Sequence, residues 1–393
     1  MISVRNHWGP WICGVFVLAA YIRLFLEKVP GHYRVFTAAA RALWAGAPAY
    51  GTDFGIGIGP FFYLPSCGLF WLGPFSLLPE KTGVFAYVTL SVALFVVGVR
   101  ALFLKHGRGT EHNLLWVSLS PFLFLACLTH KLEVASTGLV LLSVAWLLEG
   151  RRLRLSSFVF ATVLSWKLQF IPTLLLMALP IFFLKKGRLW FLRVTAWSCF
   201  WLLAPYLTHA WRAGGMDYIS ASYRLLGVTL SAFTAEAYAS FDNLFQFLVR
   251  GFGLTLTSND TRVLSLAMGI VFAGAVVYDA VRTRRWDRGL CLALAAGAGF
   301  ITVFSPLSQN NAYILLTPLL GVALVERFFE RNHLYWFGVG ICVCVLMFAY
   351  TSFLPEAWRE AIRYASPKPA AAFVLSVWVM AFFLFGRRRE AEN

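Results

Sequence analysis

Charge is what this sequence has least of. Asp, Glu, Lys and Arg together make up 13% of its 393 residues, and the acidic ones number 18 against 34 basic. Long polar stretches are missing as well: the longest, roughly residues 210 to 261, holds about 50 residues, fewer than most independent domains. That excludes a soluble domain hung on an anchor. P-loop, metal-binding histidine pair, Ser-His-Asp context and Rossmann glycine pattern are all absent from settings that would support them. The run GIGIGP at 55 to 60 follows no strand and reads as a flexible turn. Seven cysteines (Cys13, Cys67, Cys127, Cys199, Cys291, Cys342, Cys344) lie in apolar segments and have no partners at metal-ligand spacing. They read as small buried hydrophobes.

What is present is apolar. Hydrophobic residues are 59% of the chain and the mean hydropathy is +0.70. Apolar runs, mostly 17 to 22 residues long, recur along the whole length between short basic clusters, the pattern of a polytopic helical membrane protein. The net charge of +16 does not imply nucleic acid, because the basic residues sit at the ends of apolar runs and line no single polar surface. The first run, Pro10 to Leu26, lacks a small-residue cleavage site and ends in Glu27 and Lys28, so it reads as a retained span.

Basic clusters at 105–108, 151–154, 185–188, 282–288 and 386–389 mark cytoplasmic loops. Between consecutive clusters the chain must cross twice, and paired spans are predicted at 113–128 with 131–149, 155–169 with 171–184, and 189–209 with 262–281. Further pairs are 289–304 with 310–326 and 334–353 with 369–385. Pro60 to Pro79 would break this parity as a full span, and its prolines at 60, 65, 74 and 79 suit a regular spanning helix poorly. It reads as a segment lying at or dipping into the interface. The expected fold is all-α: one integral membrane domain over 1–393, about twelve spans with both ends cytoplasmic, a first outer loop at 31–79 and a long outer loop at 210–261.

The polar residues that remain gather on the outer side. A helix from Pro30 puts Phe36, Ala40, Leu43 and Trp44 on one face and Arg34, Thr37 and Arg41 on another, with Gly46 placed to end it. It reads as an interfacial helix, with Asp53 between it and the Pro60 to Pro79 segment. Lys167 stands at the outer junction of two spans, as a snorkelling anchor or as a point charge for phosphate. His130, Lys131 and Glu133 lie at similar depth, where Lys131 and Glu133 could pair with each other. Ser305, Ser308, Gln309, Asn310 and Asn311 offer amides and hydroxyls suited to a sugar. Asp242, Gln246 and Arg250, spaced i, i+4, i+8, predict another interfacial helix, and the stretch LPEAWREAIRYASPKP from Leu354 emerges on the same side. The triplet Asn259-Asp260-Thr261 matches a glycosylation acceptor, a weak signal.

In this order, YRVFTAAARALWAGAPAYG, FFYLP, PFSLLP, SWKLQFIP, LKKGRLW and SPLSQNNAYILLTPLL resemble the membrane glycosyltransferases of family 87. These are polyprenol-phosphate-mannose-dependent alpha-mannosyltransferases with the GT-C fold, and the likeness runs over nearly the whole chain. It implies transfer of a sugar, typically mannose, from a lipid-phosphate donor to a glycolipid or polysaccharide acceptor at the outer face of a membrane, here the bacterial cytoplasmic membrane. The family's first outer loop commonly starts with Asp-Phe, its catalytic base; this chain has His32-Tyr33 there. Its late motif carries histidines after Ser-Pro; this chain has Asn310 and Asn311.

Such a transfer needs a base for the acceptor hydroxyl, cations for the departing phosphate and a water-poor cleft. Asp53 is the first candidate base, unless it caps a turn or pairs with Arg41, and His32 the second. Lys167 and Arg34 are the expected phosphate ligands, with Lys131 and Arg250 behind them. Glu133, Ser308, Gln309, Asn310, Asn311 and Asp242 are expected to meet sugar or acceptor. No metal or other cofactor is expected. A transporter or lipid flippase without transferase activity is the alternative.

Overall fold

The computed structural model describes residues 8–27, 29, 31–47, 49, 52–56, 65–104, 110–130, 132–209, 220, 224, 243–304, 310–325, 332–348 and 367–385. Every regular element among them is helical. In the first half these are α1 (Trp8–Leu26), α2 (Gly31–Trp44), α3 (Glu80–Phe103), α4 (Thr110–Thr129), α5 (Glu133–Leu148), α6 (Leu153–Trp166), α7 (Ile171–Phe183) and α8 (Gly187–His209). The second half holds α9 (Leu244–Phe252), α10 (Ser258–Thr283), α11 (Trp286–Phe304), α12 (Thr317–Val325), α13 (His333–Phe348) and α14 (Pro367–Phe385). A π-helical turn at Cys67–Leu72 runs into a short helix at Gly73–Ser76, and 3-10 turns occupy Leu168–Phe170 and Asn310–Leu316.

Among the described residues, six helices are long and apolar enough to cross a membrane: Trp8–Leu26, Glu80–Phe103, Thr110–Thr129, Asn259–Thr283, Trp286–Phe304 and Pro367–Phe385. Their outward faces carry hydrocarbon. On α1, Trp11, Val15, Leu18, Ile22 and Phe25 are each more than half exposed, and their spacing lays them along one face of a helix. Val263, Leu266, Ile270 and Val281 are equally bare on α10. Such stripes are unfavourable in water by roughly 25 cal/mol per Å² and are at home in lipid, where helices with internally satisfied backbones are the stable form. The architecture is that of an all-α membrane protein.

Local chemistry ends the helices where the sequence signals them. After α2, Gly46 adopts φ 79°, its N–H donates to the Leu43 carbonyl (3.1 Å), and the Ala47 N–H donates to that of Ala42 (2.8 Å). This doubly bonded stop requires a left-handed residue, which favours glycine. At α10, Thr257 and Asp260 cap each other's backbone N–H, so the Asn259-Asp260-Thr261 triplet forms the first turn of a helix.

Contacts between distant residues sort the helix ends into two sets. In one, Tyr33 donates to the Phe75 carbonyl (3.2 Å), Ser66 to that of Ser165 (2.8 Å), and Trp71 packs on Trp166 (centroids 4.5 Å apart). In the other, Lys186 donates to the Gly150 carbonyl (3.3 Å), Phe183 stacks on Trp286 (4.1 Å), and Arg282 donates to the Leu384 carbonyl (2.7 Å). The basic clusters at 151–154, 185–188 and 282–288 belong to the second set, as the paired crossings require. There Arg288 and Asp279 form a buried pair at 3.1 Å, with the guanidinium 4.5 Å from the Phe383 ring centroid, tying α10, α11 and α14 together.

Three expectations need correction. Within Pro60 to Pro79, the described residues 65–76 do not lie along lipid: Ser66, Cys67, Leu69, Leu72, Phe75 and Ser76 are buried beneath α2 and beside α3. Two of its prolines serve helix starts, Pro74 inside the first turn of Gly73–Ser76 and Pro79 just before α3. Helix α2 consequently has two buried faces. Thr37, expected on the polar side, is buried with Tyr33, Phe36, Ala39 and Ala40, and its hydroxyl is satisfied by the Arg34 carbonyl (3.1 Å). Of the cysteines, Cys199 and Cys344 are exposed on outward faces.

Backbone contact between α3 and α5 fixes the core. Gly98 and Gly138 face each other, and a Cβ on either would fall inside the opposing backbone; in lipid, close packing of small residues is a principal source of helix association. Gly138→Leu should therefore lower the unfolding temperature in detergent, at a cost of roughly 1–3 kcal/mol or more. Gly14→Ala, at a glycine with open space around it, should leave that temperature within error or raise it.

Candidate functional site

Away from the basic clusters, the joints between helices converge on a group of buried polar and aromatic side chains. Helix α6 stops at Trp166, and Lys167 is extended (φ −149°, ψ 106°) before the turn Leu168–Phe170 and the opening of α7 at Ile171-Pro172. The break lets the Lys167 side chain reach back to the first turn of α5, where its ammonium pairs with the Glu133 carboxylate. The two side chains are 13% and 4% exposed, so this is an interior ion pair. Removing either partner from such a pair leaves an uncompensated charge.

His130 sits between α4 and α5 with φ 54°, in the left-handed region that histidine tolerates better than most side chains. It is 1% exposed, its ring lies 6.1 Å from that of Tyr33, and neither ring nitrogen has a hydrogen-bond partner among the described residues. Burial, with His32 nearby, pushes the imidazole down to about 3, so it is neutral. Tyr33 is pushed up to about 12 by burial, with Arg41 opposing. Burial also raises the Cys67 thiol, with Lys167 close enough to pull the other way.

The π-helical turn and α3 complete the wall. Trp71 lies against Trp166 and edge-on to Tyr87 (6.5 Å), and Tyr87 is within electrostatic reach of Cys67 and Glu133. The buried Tyr87 hydroxyl has the Trp71 indole and the Ser91 hydroxyl as hydrogen-bonding neighbours, while the Thr137 hydroxyl, one turn along from Glu133, is buried without a hydrogen-bond partner among the described residues. Interior polar atoms are rarely left so. The 3-10 turn Asn310–Leu316 packs on α4, α5 and α11, with Tyr313 stacked on Phe122 (6.3 Å).

The residues singled out from sequence separate accordingly. Glu133 and Lys167 meet directly, and half-buried His32 stands near His130. Asn310 and Asn311 open the turn that packs on α4 and α5; their side chains are outside the described residues, as are Lys131, Asp242, Ser308 and Gln309. Arg34 instead pairs with Glu80 at 3.0 Å, both about half exposed. Arg250 is exposed on α9, which rests on α11 and α14, while Gln246 on the same helix is buried; the expected common polar face is thus divided. Asp53 is exposed and accepts from the Gly55 N–H (2.9 Å), a turn cap, and Arg41 donates to the Ser76 carbonyl (3.1 Å). Sequence reasoning missed Trp71, Tyr87, Cys67 and Lys368. Lys368 is 4% exposed with its ammonium 5.7 Å from the Tyr313 ring centroid; a cation heading an apolar run was its signal, as for Lys167.

Compared with protein-family models, curated proteins and solved structures, the chain matches none.

Two measurements check this geometry. Glu133→Ala and Lys167→Ala should each destabilise the protein by roughly 3–5 kcal/mol, while the double exchange Glu133→Leu with Lys167→Met should recover most of that loss, seen in thermal unfolding in detergent. For His130, the depressed folded value means the unfolded chain binds the extra proton. Its contribution is fully present above about 6.5 and is lost as pH falls toward about 3. His130→Asn, compatible with a left-handed backbone, should flatten that acid limb between pH about 6.5 and about 4.

Proposed function

We propose that this chain is a membrane glycosyltransferase that moves a hexose, mannose on the strength of the sequence resemblance, from a polyprenyl-phosphate donor to a glycolipid or polysaccharide acceptor. In this proposal the six long helices are joined by the shorter apolar helices Glu133–Leu148, Leu153–Trp166, Leu168–Phe183, Tyr313–Val325 and His333–Met347 and by α8, giving twelve crossings in a GT-C-like arrangement. Helices of 13 to 16 residues such as α5, α6 and α7 fall short of the roughly 30 Å hydrocarbon layer. They suit spans largely enclosed by protein, as α5 is over nearly its whole length. The positive-inside rule then puts the basic joints in the cytoplasm and the Glu133–Lys167 end outside.

The observation that carries the proposal is the interior Lys167 ammonium, held at a break between two helices beside Glu133, with the unpartnered Thr137 hydroxyl and His130 ring nitrogens nearby. A lysine is a compact point charge that can meet a lipid-borne phosphate, and aromatic faces with hydroxyl and N–H groups suit a sugar. The low-dielectric surroundings strengthen the cation's hold on charge that develops on the leaving oxygen. Asp53 contributes a turn cap in this scheme.

Purified protein incubated with radiolabelled polyprenyl-phosphate mannose and a membrane-lipid acceptor fraction should incorporate label into acceptor. Lys167→Gln should slow incorporation about a hundredfold or more, while Asp53→Asn, which can keep the bond to Gly55, should stay within about tenfold of the parent. Movement of intact donor across vesicles without incorporation would replace transfer by transport.

A further inference from the structure

We propose that Glu133 is the proton acceptor of the reaction, and that the donor's phosphate frees it by taking its place on Lys167. The assignment rests on the transferase function proposed above and goes beyond it: neither the resemblance nor the sequence places the base here. In the structure as it stands, the ammonium is paired with one oxygen of the carboxylate in the interior. Of the described neighbours, His130 is held neutral and Cys67 remains a thiol. A phosphodiester brought to Lys167 competes with the carboxylate for the same ammonium. Glu133 is then displaced from its partner at the moment a substrate arrives, in a site lined by the unpartnered His130 ring nitrogens and Thr137 hydroxyl and by the Trp71 and Tyr87 rings.

The charges balance through the step. Before transfer the site holds a carboxylate, an ammonium and a phosphodiester with one negative charge. The acceptor oxygen forms its bond to the anomeric carbon while the bond from that carbon to the phosphate oxygen breaks, and the electron pair stays on the phosphate. The acceptor's proton passes to Glu133. Afterwards the site holds a neutral carboxyl, the ammonium and a phosphomonoester with two negative charges, so its net charge is unchanged. Interior charge is expensive, and a base next to the phosphate ligand meets that constraint as an exposed carboxylate on a separate turn cannot. When the product lipid leaves, Glu133 loses its proton and pairs again with Lys167.

Binding separates this idea from the function it rests on. Polyprenyl monophosphate, with inorganic phosphate as the headgroup alone, is titrated into purified wild-type protein, Glu133→Gln and Lys167→Gln. Glu133→Gln should bind the lipid phosphate at least tenfold tighter than wild type, because no carboxylate contests the ammonium, and Lys167→Gln at least tenfold weaker. If only the lipid form binds, the site recognises a lipid headgroup; equal gains for both forms assign the exchange to phosphate itself. With donor and acceptor present, Glu133→Gln should transfer at least a hundredfold more slowly, and added carboxylates should restore Glu133→Ala to a degree that rises with their basicity, which a purely structural role would not produce. Should Glu133→Gln fold poorly, Glu133→Asp keeps the charge and should still bind phosphate tighter and turn over more slowly. Phosphate affinity unchanged in both Glu133 variants, or full transfer by Glu133→Gln, overturns the proposal. Wild-type protein that shows the binding exchange yet transfers no sugar overturns the transferase function and leaves the exchange standing.

Discussion

Charge that leaves water must find a partner, and most of this structure is arranged around that constraint. In a chain so poor in ionisable residues, the interior ones stand out: Asp279 with Arg288 at the basic end, Glu133 with Lys167 at the other. Each pair adds an ionic link between helices that also share hydrogen bonds, Ser143 with Ser156 between α5 and α6 and Arg282 with the Leu384 carbonyl between α10 and α14. They differ in what surrounds them. Arg288 is stacked near Phe383 and embedded where α10, α11 and α14 meet, a setting for a permanent tie. Glu133 and Lys167 stand beside the buried hydroxyl of Thr137 and the imidazole of His130, the polar surroundings on which the proposed exchange rests.

The second end is also where the backbone is least regular. Cys67–Leu72 is π-helical, Lys167 is extended between two helices, His130 is left-handed, and Asn310–Leu316 is a 3-10 turn. Departures from regular helix free backbone groups that lipid cannot satisfy, so they are tolerated only where protein or a polar cavity encloses them. The π-helical turn, the extended Lys167 and the 3-10 turns gather at this end, whereas left-handed residues occur at both, with Arg152 and Arg284 capping helices in the basic clusters.

Much of this was legible in the sequence because membrane helices obey simple arithmetic. The apolar runs read at 113–128, 171–184 and 289–304 are the helices Thr110–Thr129, Ile171–Phe183 and Trp286–Phe304, since apolar run length and basic flanks both speak to the same boundary. Gly46 announced its helix end because few other residues fit φ 79°. Partnership was harder. Nothing local to Glu133 shows that its partner lies 34 residues away, nor that Arg34 turns to Glu80; periodicity places a residue on a face and leaves open which neighbour covers it. The same gap hid the second buried face of α2, where Thr37 looked polar by type and is enclosed by residues 65–76. Trp71 and Tyr87 were invisible for the opposite reason, as aromatics in a chain where they are 17% of residues.

The glycine contact between α3 and α5 has a consequence for traffic. Where two backbones touch at Gly98 and Gly138, there is no slit wide enough for an isoprenoid tail, so that seam is shut to lateral entry. A lipid whose head reaches Lys167 has to trail its tail along some other flank of the bundle, and the approach route is set by where the helices cannot part.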